Sequence, residues 1–197
     1  RRRLVGTSGG WLCFDVCFFG VTIFLPHVMH AIIDKEDRGR EMLLLSASVS
    51  CLVNCLAIPA ALLSIRLVVD DAMGRKGLQQ ASFGLIAVSY AALYLLFPSL
   101  RGIGSTGGVV LLFSVLFFSL NFGAGLTTYI LPQESFPRHI RGSLNGVAAA
   151  SGKVGAVVSA YCFAPMAREY GLAATFFLLA CFAAAGGLVT AKFVDDV

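Results

Sequence analysis

Six long runs of apolar residues dominate the chain, at Ser8–Met29, Leu43–Val68, Leu78–Phe97, Val109–Leu131, Ser143–Met166 and Ala173–Val194. None alternates polar and apolar positions as a half-buried strand would. Each is close to the roughly 20 residues that a helix needs to cross about 30 Å of hydrocarbon. Short polar connections separate them, among them Ile33–Glu41, Asp70–Lys76, Arg101–Gly107 and Pro137–Arg141. Inside a bilayer only helices and closed barrels satisfy their own backbone polar groups. The pattern therefore predicts an all-α protein, a polytopic bundle of six transmembrane helices.

Composition moves the solvent from water to lipid. With 57% hydrophobic and 13% charged residues and a mean hydropathy of +0.83, the chain has too little polar surface for a water-soluble domain. The net charge of +4 matters less than its distribution. An even number of spans puts both ends on one side. With the N-terminus inside, the inner segments hold Arg1, Arg2, Arg3, Arg66, Arg75, Lys76, Arg138, Arg141 and Lys192. The outer segments hold Lys35, Arg38, Arg40, Arg101 and Arg168, mixed with Asp34, Glu36, Asp37, Glu41 and Glu169. That bias predicts cytoplasmic termini for this segment of a multi-pass protein, with the plasma membrane as the expected location. Arg1–Arg3 run into a full-length span without the small-residue cleavage site of a signal peptide. A basic start with no initiating Met is what a cut between two six-helix halves would leave, so an N-terminal half-bundle is expected to be missing.

Two charges fall inside spans. Asp15 lies near the middle of the first, where a carboxylate costs on the order of 2.5 to 3.5 kcal/mol on insertion scales. Trp11 and Phe19 stand four residues either side of it, so one helix face carries an indole N–H, a carboxylate and an aromatic wall. Burial disfavours the charged form of a carboxyl group, which makes Asp15 a candidate proton carrier; the alternative is an acid neutralised only to fix helix packing. Lys153 lies less than halfway along the fifth span, among mostly small residues. It can pair with Asp15, offer positive charge to an anion, or snorkel to the interface about 16 Å away.

Other patterns carry less chemistry. Cys13/Cys17 and Cys51/Cys55 have i, i+4 spacing, but apart from Asp15 no neighbouring ligands complete a metal set. Gly146–Lys153 has five residues between its glycines, no preceding strand, and Val154 where a phosphate-binding loop needs Ser or Thr. Gly142 with Gly146, and Ser151 with Gly155, read instead as small-residue pairs that let the fifth helix pack closely. Asn121, Gly123 and Gly125 weaken the fourth helix, either for tight packing or to line a substrate cavity with backbone. His27, His30 and His139 lie at span ends and read as interfacial.

Two loops concentrate charge. Asp71, Gly74, Arg75 and Lys76 occupy the tight connection between the second and third spans, as a docking salt bridge or a topogenic cluster. Pro132–Gly142 closes the fourth span, and Glu134 can meet Arg138 or Arg141 there, as a cytoplasmic gate or as solvated charge.

These pieces match a known pattern. The acid-x-x-Gly-Arg-Lys loop Asp71–Lys76 resembles the loop signature of the major facilitator superfamily. Pro132-Gln-Glu-Ser-Phe-Pro137 with Arg141 resembles the motif after the tenth helix of its sugar and phosphate branches. Ala149-Ala-Ser-Gly-Lys-Val-Gly-Ala156 is similar to a stretch of the phosphate:proton symporters. Trp11-x-x-x-Asp15 resembles their seventh helix, and Asn121-Phe-Gly123 with Thr127-Thr-Tyr-Ile130 their tenth. The resemblance covers all six spans and implies helices seven to twelve, one half of a twelve-helix fold.

By that resemblance, Trp11 and Asp15 contact inorganic phosphate, Asp15 helps carry the proton and Lys153 belongs to the coupling network. The sequence departs from the family at two of its site positions: Phe19 stands where a phosphate-binding Tyr is common, and Gly125 stands where a substrate-binding Asn is found. The expected activity is proton-coupled phosphate symport, with phosphate, protons, the bilayer and the N-terminal half as partners. A transporter of a sugar or another organic solute, and a non-transporting membrane paralogue or sensor, are the alternatives. The first span lacks the Gln-Gln pair of the sugar branch, and Lys153 favours an anion. No catalytic grouping, cofactor fingerprint or nucleic-acid-binding pattern is present, so neither an enzyme nor a cofactor is expected.

Overall fold

The computed structural model describes residues 1–25, 40–69 and 73–195. They form helices α1 (Arg2–Thr22), α2 (Arg40–Cys55), α3 (Ala57–Val69), α4 (Gly74–Gly102), α5 (Thr106–Asn121), α6 (Ala124–Ser135), α7 (Arg141–Glu169) and α8 (Gly171–Phe193). No strand occurs among the described residues. Among the described residues, six stretches are long and apolar enough to cross a membrane: α1, Ser46–Val69 across α2 and α3, α4, Thr106–Ser135 across α5 and α6, α7 and α8. His27, His30 and the connection that follows them, and Asp71 of the second connection, lie outside the described residues.

Two spans are interrupted, each for a local reason. Pro59 is the third residue of α3, and without an N–H it cannot continue the hydrogen-bond ladder from α2, which stops at Cys55. Between α5 and α6, Phe122 is extended and Gly123 takes φ +66°, a conformation that disfavours any side chain. Apolar surroundings supply no water for the freed groups, so two buried serines do. Ser64 Oγ accepts from Gly123 N at 2.7 Å, and Ser82 Oγ accepts from Ala124 N at 2.8 Å while donating to the Phe122 carbonyl.

Helix α1 is central. It packs against α6, α7 and α8, and it is the most buried of the six spans. Helix α4 packs on α5, α6 and α8, whereas α2 and α3 lean on α5 at the periphery. The core is aromatic: Phe83, Tyr90 and Phe97 of α4 meet Phe113 and Phe117 of α5 and Phe176 of α8. The buried Tyr90 hydroxyl donates to the Cys17 carbonyl at 2.5 Å, tying α4 to α1.

Helices α1 and α7 approach closely because α7 has no side chains at two contact positions. A Cβ on Gly155 would lie 2.5 Å from the Leu12 carbonyl oxygen, and one on Gly152 would strike the Trp11 ring. Ser151 and Ser159 then reach backbone across the seam, donating to the Ser8 and Val16 carbonyls at 2.8 Å each. The expected pair Ser151/Gly155 does face a neighbour. Gly142 and Gly146 do not, since a Cβ at either would meet nothing within 4 Å, and the close packing of α7 begins only nearer its middle.

The seam yields a stability prediction. In the complete protein in detergent, Gly155→Val should cost about 1 to 3 kcal/mol by overpacking and lower the melting temperature. Gly84→Ala, in open space on α4, should leave it unchanged or raise it. Equal effects of the two would contradict the close approach.

Candidate functional site

The first span's carboxylate and the fifth span's ammonium come together at the α1–α7 seam. Lys153 Nζ stands 3.6 Å from Asp15 Oδ2, with Asp15 buried and the lysine side chain largely exposed. That distance makes an ion pair but not a hydrogen bond, so Asp15 Oδ2 and the buried Trp11 indole N–H have no hydrogen-bond partner among the described residues. Both therefore hold unmet hydrogen-bonding capacity that a ligand could take up. The same ammonium lies 5.5 Å from the centroid of the Phe19 ring, within cation–π range.

Beside the pair is a cavity of about 160 Å³ lined by Phe14, Asp15, Phe18, Phe19, Asn121, Gly125, Tyr129 and Lys153. The structure thus brings Asp15, Phe19, Gly125 and Lys153 into one wall. Trp11 is not in the lining; it is buried, with its ring edge-on to Tyr129 at 4.7 Å between centroids. Sequence reasoning missed Tyr129 as a cavity residue. The available signal was its register: it follows Gly125 by one helical turn, so the two share a face of α6. In the weakened fourth helix, packing and cavity are divided between residues. Asn121 and Gly125 line the cavity, whereas Gly123 is packed so tightly that a Cβ would lie 2.8 Å from Ser82 Cβ.

The loop charges pair differently from the expectation. Glu134, at the end of α6, meets Arg75, whose Nε stands 3.2 Å from Glu134 Oε2. Arg141 instead donates to the Phe136 carbonyl at 3.2 Å, and Arg138 is exposed. Pairing of Glu134 with Arg138 or Arg141 gives way because Gly74, at φ +67°, turns the chain into α4 and sets Arg75 beside the end of α6. His139 is exposed in the same loop.

The basic start of α1 grips two other helix ends. Arg3 donates to the Ser135 carbonyl at 3.1 Å and to Asp195 Oδ2 at 2.9 Å, and Arg2 donates to the Lys192 carbonyl at 2.6 Å. Guanidinium groups at the carbonyl ends of α6 and α8 also complement the helix dipoles. The hydrogen bond from Arg3, aided by nearby positive charge, holds the Asp195 carboxyl below its ordinary value. Whatever this tie adds to stability is present above the ordinary carboxylate range and is lost as pH falls through the lowered value.

A bundle of six membrane-crossing helices is an integral, multi-pass membrane protein. The family described as "Sugar (and other) transporter" matches residues 8–196, and the chain belongs to that family, within the major facilitator superfamily. Similar relatives include a probable inorganic phosphate transporter 1-6 of Arabidopsis thaliana, 28% identical over 90% of this chain and 35% of the relative. Inorganic phosphate transporter 1-6 of Oryza sativa subsp. japonica is 30% identical over 85% of this chain and 32% of its own length. A low affinity inorganic phosphate transporter 1 of Petunia hybrida is 27% identical over 82% of this chain and 31% of its own. The chain therefore spans about a third of the length of the curated relatives it matches.

The buried half of the ion pair supports a test of its energetics. Lys153→Met should destabilise the complete protein more than the double variant Asp15→Asn/Lys153→Met, because only the single variant strands a buried carboxylate. Thermal unfolding of the two variants beside wild type checks this, and a double variant no more stable than the single would count against the pairing.

Proposed function

We propose that this chain is the C-terminal half of a proton-coupled inorganic phosphate symporter that works by alternating access in the plasma membrane. The observation that carries the reading is the Asp15–Lys153 pair at a cavity, in a chain whose relatives are named inorganic phosphate transporters. An N-terminal half would cover the exposed side of Lys153, and rocking of the two halves would open the site to each side in turn. Both ends of this segment would then be cytoplasmic, as the distribution of Lys and Arg favours.

The ion pair supplies a coupling logic. While Asp15 is ionised, it holds the ammonium of Lys153 and disfavours a second negative charge. A proton on Asp15 removes that charge and releases Lys153 to a phosphate oxygen, as a charge-assisted hydrogen bond. Trp11, with its free indole N–H, would complete the donor set. Arg75 and Glu134 would act as a gate, joined in one state and parted in the other, with Asp71, Gly74, Lys76, Arg138 and Arg141 as its surroundings.

A second reading keeps the fold and exchanges the cargo for an organic solute. The three phenylalanines of the cavity wall favour it, whereas the lysine argues against a neutral sugar.

Radiolabelled phosphate uptake by the complete protein in proteoliposomes tests the first reading. An inward proton gradient should drive uptake, and Asp15→Asn should abolish the gradient dependence. Full pH-dependent uptake by that variant would defeat the proposed coupling, and competition by sugars or organic anions stronger than by phosphate would favour the second reading. For the gate, Arg75→Glu should reduce uptake at least severalfold, with partial recovery when Glu134→Arg is added. A charge-swapped pair no better than the single variant would remove Arg75–Glu134 from the mechanism.

A further inference from the structure

We propose that Tyr129 contacts the substrate and sets its affinity, its phenol hydroxyl donating a hydrogen bond to an oxygen of a tetrahedral anion. The inference rests on the phosphate reading and adds to it a residue on α6. Four aromatic side chains line the cavity, and of Phe14, Phe18, Phe19 and Tyr129 only the last carries a polar atom.

An anion with four oxygens needs several donors, and the cavity's other two, Asn121 and Lys153, are each held in part by the protein. Asn121 gives its amide N–H to the Phe117 carbonyl at 2.8 Å, and the Lys153 ammonium stands 3.6 Å from Asp15. The Tyr129 hydroxyl has no hydrogen-bond partner among the described residues. Tyr129 is 55% exposed, but one side of its ring packs edge-on at 4.7 Å to Trp11, which is itself 3% exposed and wedged over Gly152. A tyrosine restrained on one side of its ring and free at its tip gives up less conformational freedom on binding than a long flexible side chain would. The neighbouring turn helps, because Gly125 presents no side chain between α6 and the cavity.

The test uses the complete protein in proteoliposomes with inorganic phosphate, and calorimetric phosphate binding to the purified protein. Tyr129→Phe keeps the ring and its Trp11 contact, so its melting temperature should match wild type. It should raise the KM and the dissociation constant for phosphate by about tenfold to a hundredfold, the worth of a hydrogen bond to a charged group, with little change in turnover. Adding Phe19→Tyr, which returns a hydroxyl to the same cavity, should recover part of the loss. Wild-type uptake with an unchanged KM in Tyr129→Phe would overturn the role of Tyr129 and leave the phosphate reading standing. Absence of phosphate uptake and binding by folded wild type would overturn that reading and the role of Tyr129 with it.

Discussion

Helices α1 and α7 touch backbone to side chain along their seam because Gly152 and Gly155 have no Cβ to hold them apart, and the candidate site depends on that approach. A carboxylate inside a bilayer is tolerated only with a partner, since lipid offers neither hydrogen bonds nor counter-charge. Lys153 immediately follows Gly152, so the glycine that admits the Trp11 ring also delivers the ammonium to Asp15. Ser151 and Ser159 lock the register by hydrogen-bonding carbonyls of α1. Specific packing and charge compensation are thus one arrangement, produced by a run of small residues on one helix.

At one end of the bundle a different economy operates. Arg2 and Arg3 reach the terminal carbonyls of α8 and α6, while Arg75 holds the acid one residue before Ser135. Four segments far apart in the chain are therefore fastened where the spans end and water can solvate any charge left over. These exposed bonds are individually weak, but each restrains a helix whose interior is already held by packing.

Much of this was legible in the sequence. The apolar runs gave six spans because hydrocarbon thickness sets a length that few other folds imitate, and the intramembrane charges stood out because their burial is costly. The ends of the helices were less legible: α1 begins at Arg2, well before its apolar run, because charged residues can continue a helix into the interface. The partner of Glu134 was misassigned because sequence proximity favoured Arg138 and Arg141, whereas the positive φ of Gly74 brings in a residue 59 positions away. Gly142 and Gly146 had the spacing of a packing motif, but spacing alone does not say which face of α7 meets a neighbour. Tyr129 escaped notice because its environment depends on Trp11, a residue on a different span.

The interruption at Phe122–Gly123 ties three positions to one another. Gly123 can turn the chain only if the amides it frees find acceptors, and Ser64 and Ser82, on two other helices, provide them. Each residue alone is small and unremarkable, and none carries charge. A lineage that drifted to alanine at both serines would leave the Gly123 amide unpaired in an apolar interior and the Ala124 amide with only the Phe122 carbonyl, and one that replaced the glycine would cost the two hydroxyls the amides they accept from. The three are expected to be inherited as a set, so descendants of this protein should keep or lose the kink in its fourth span all at once.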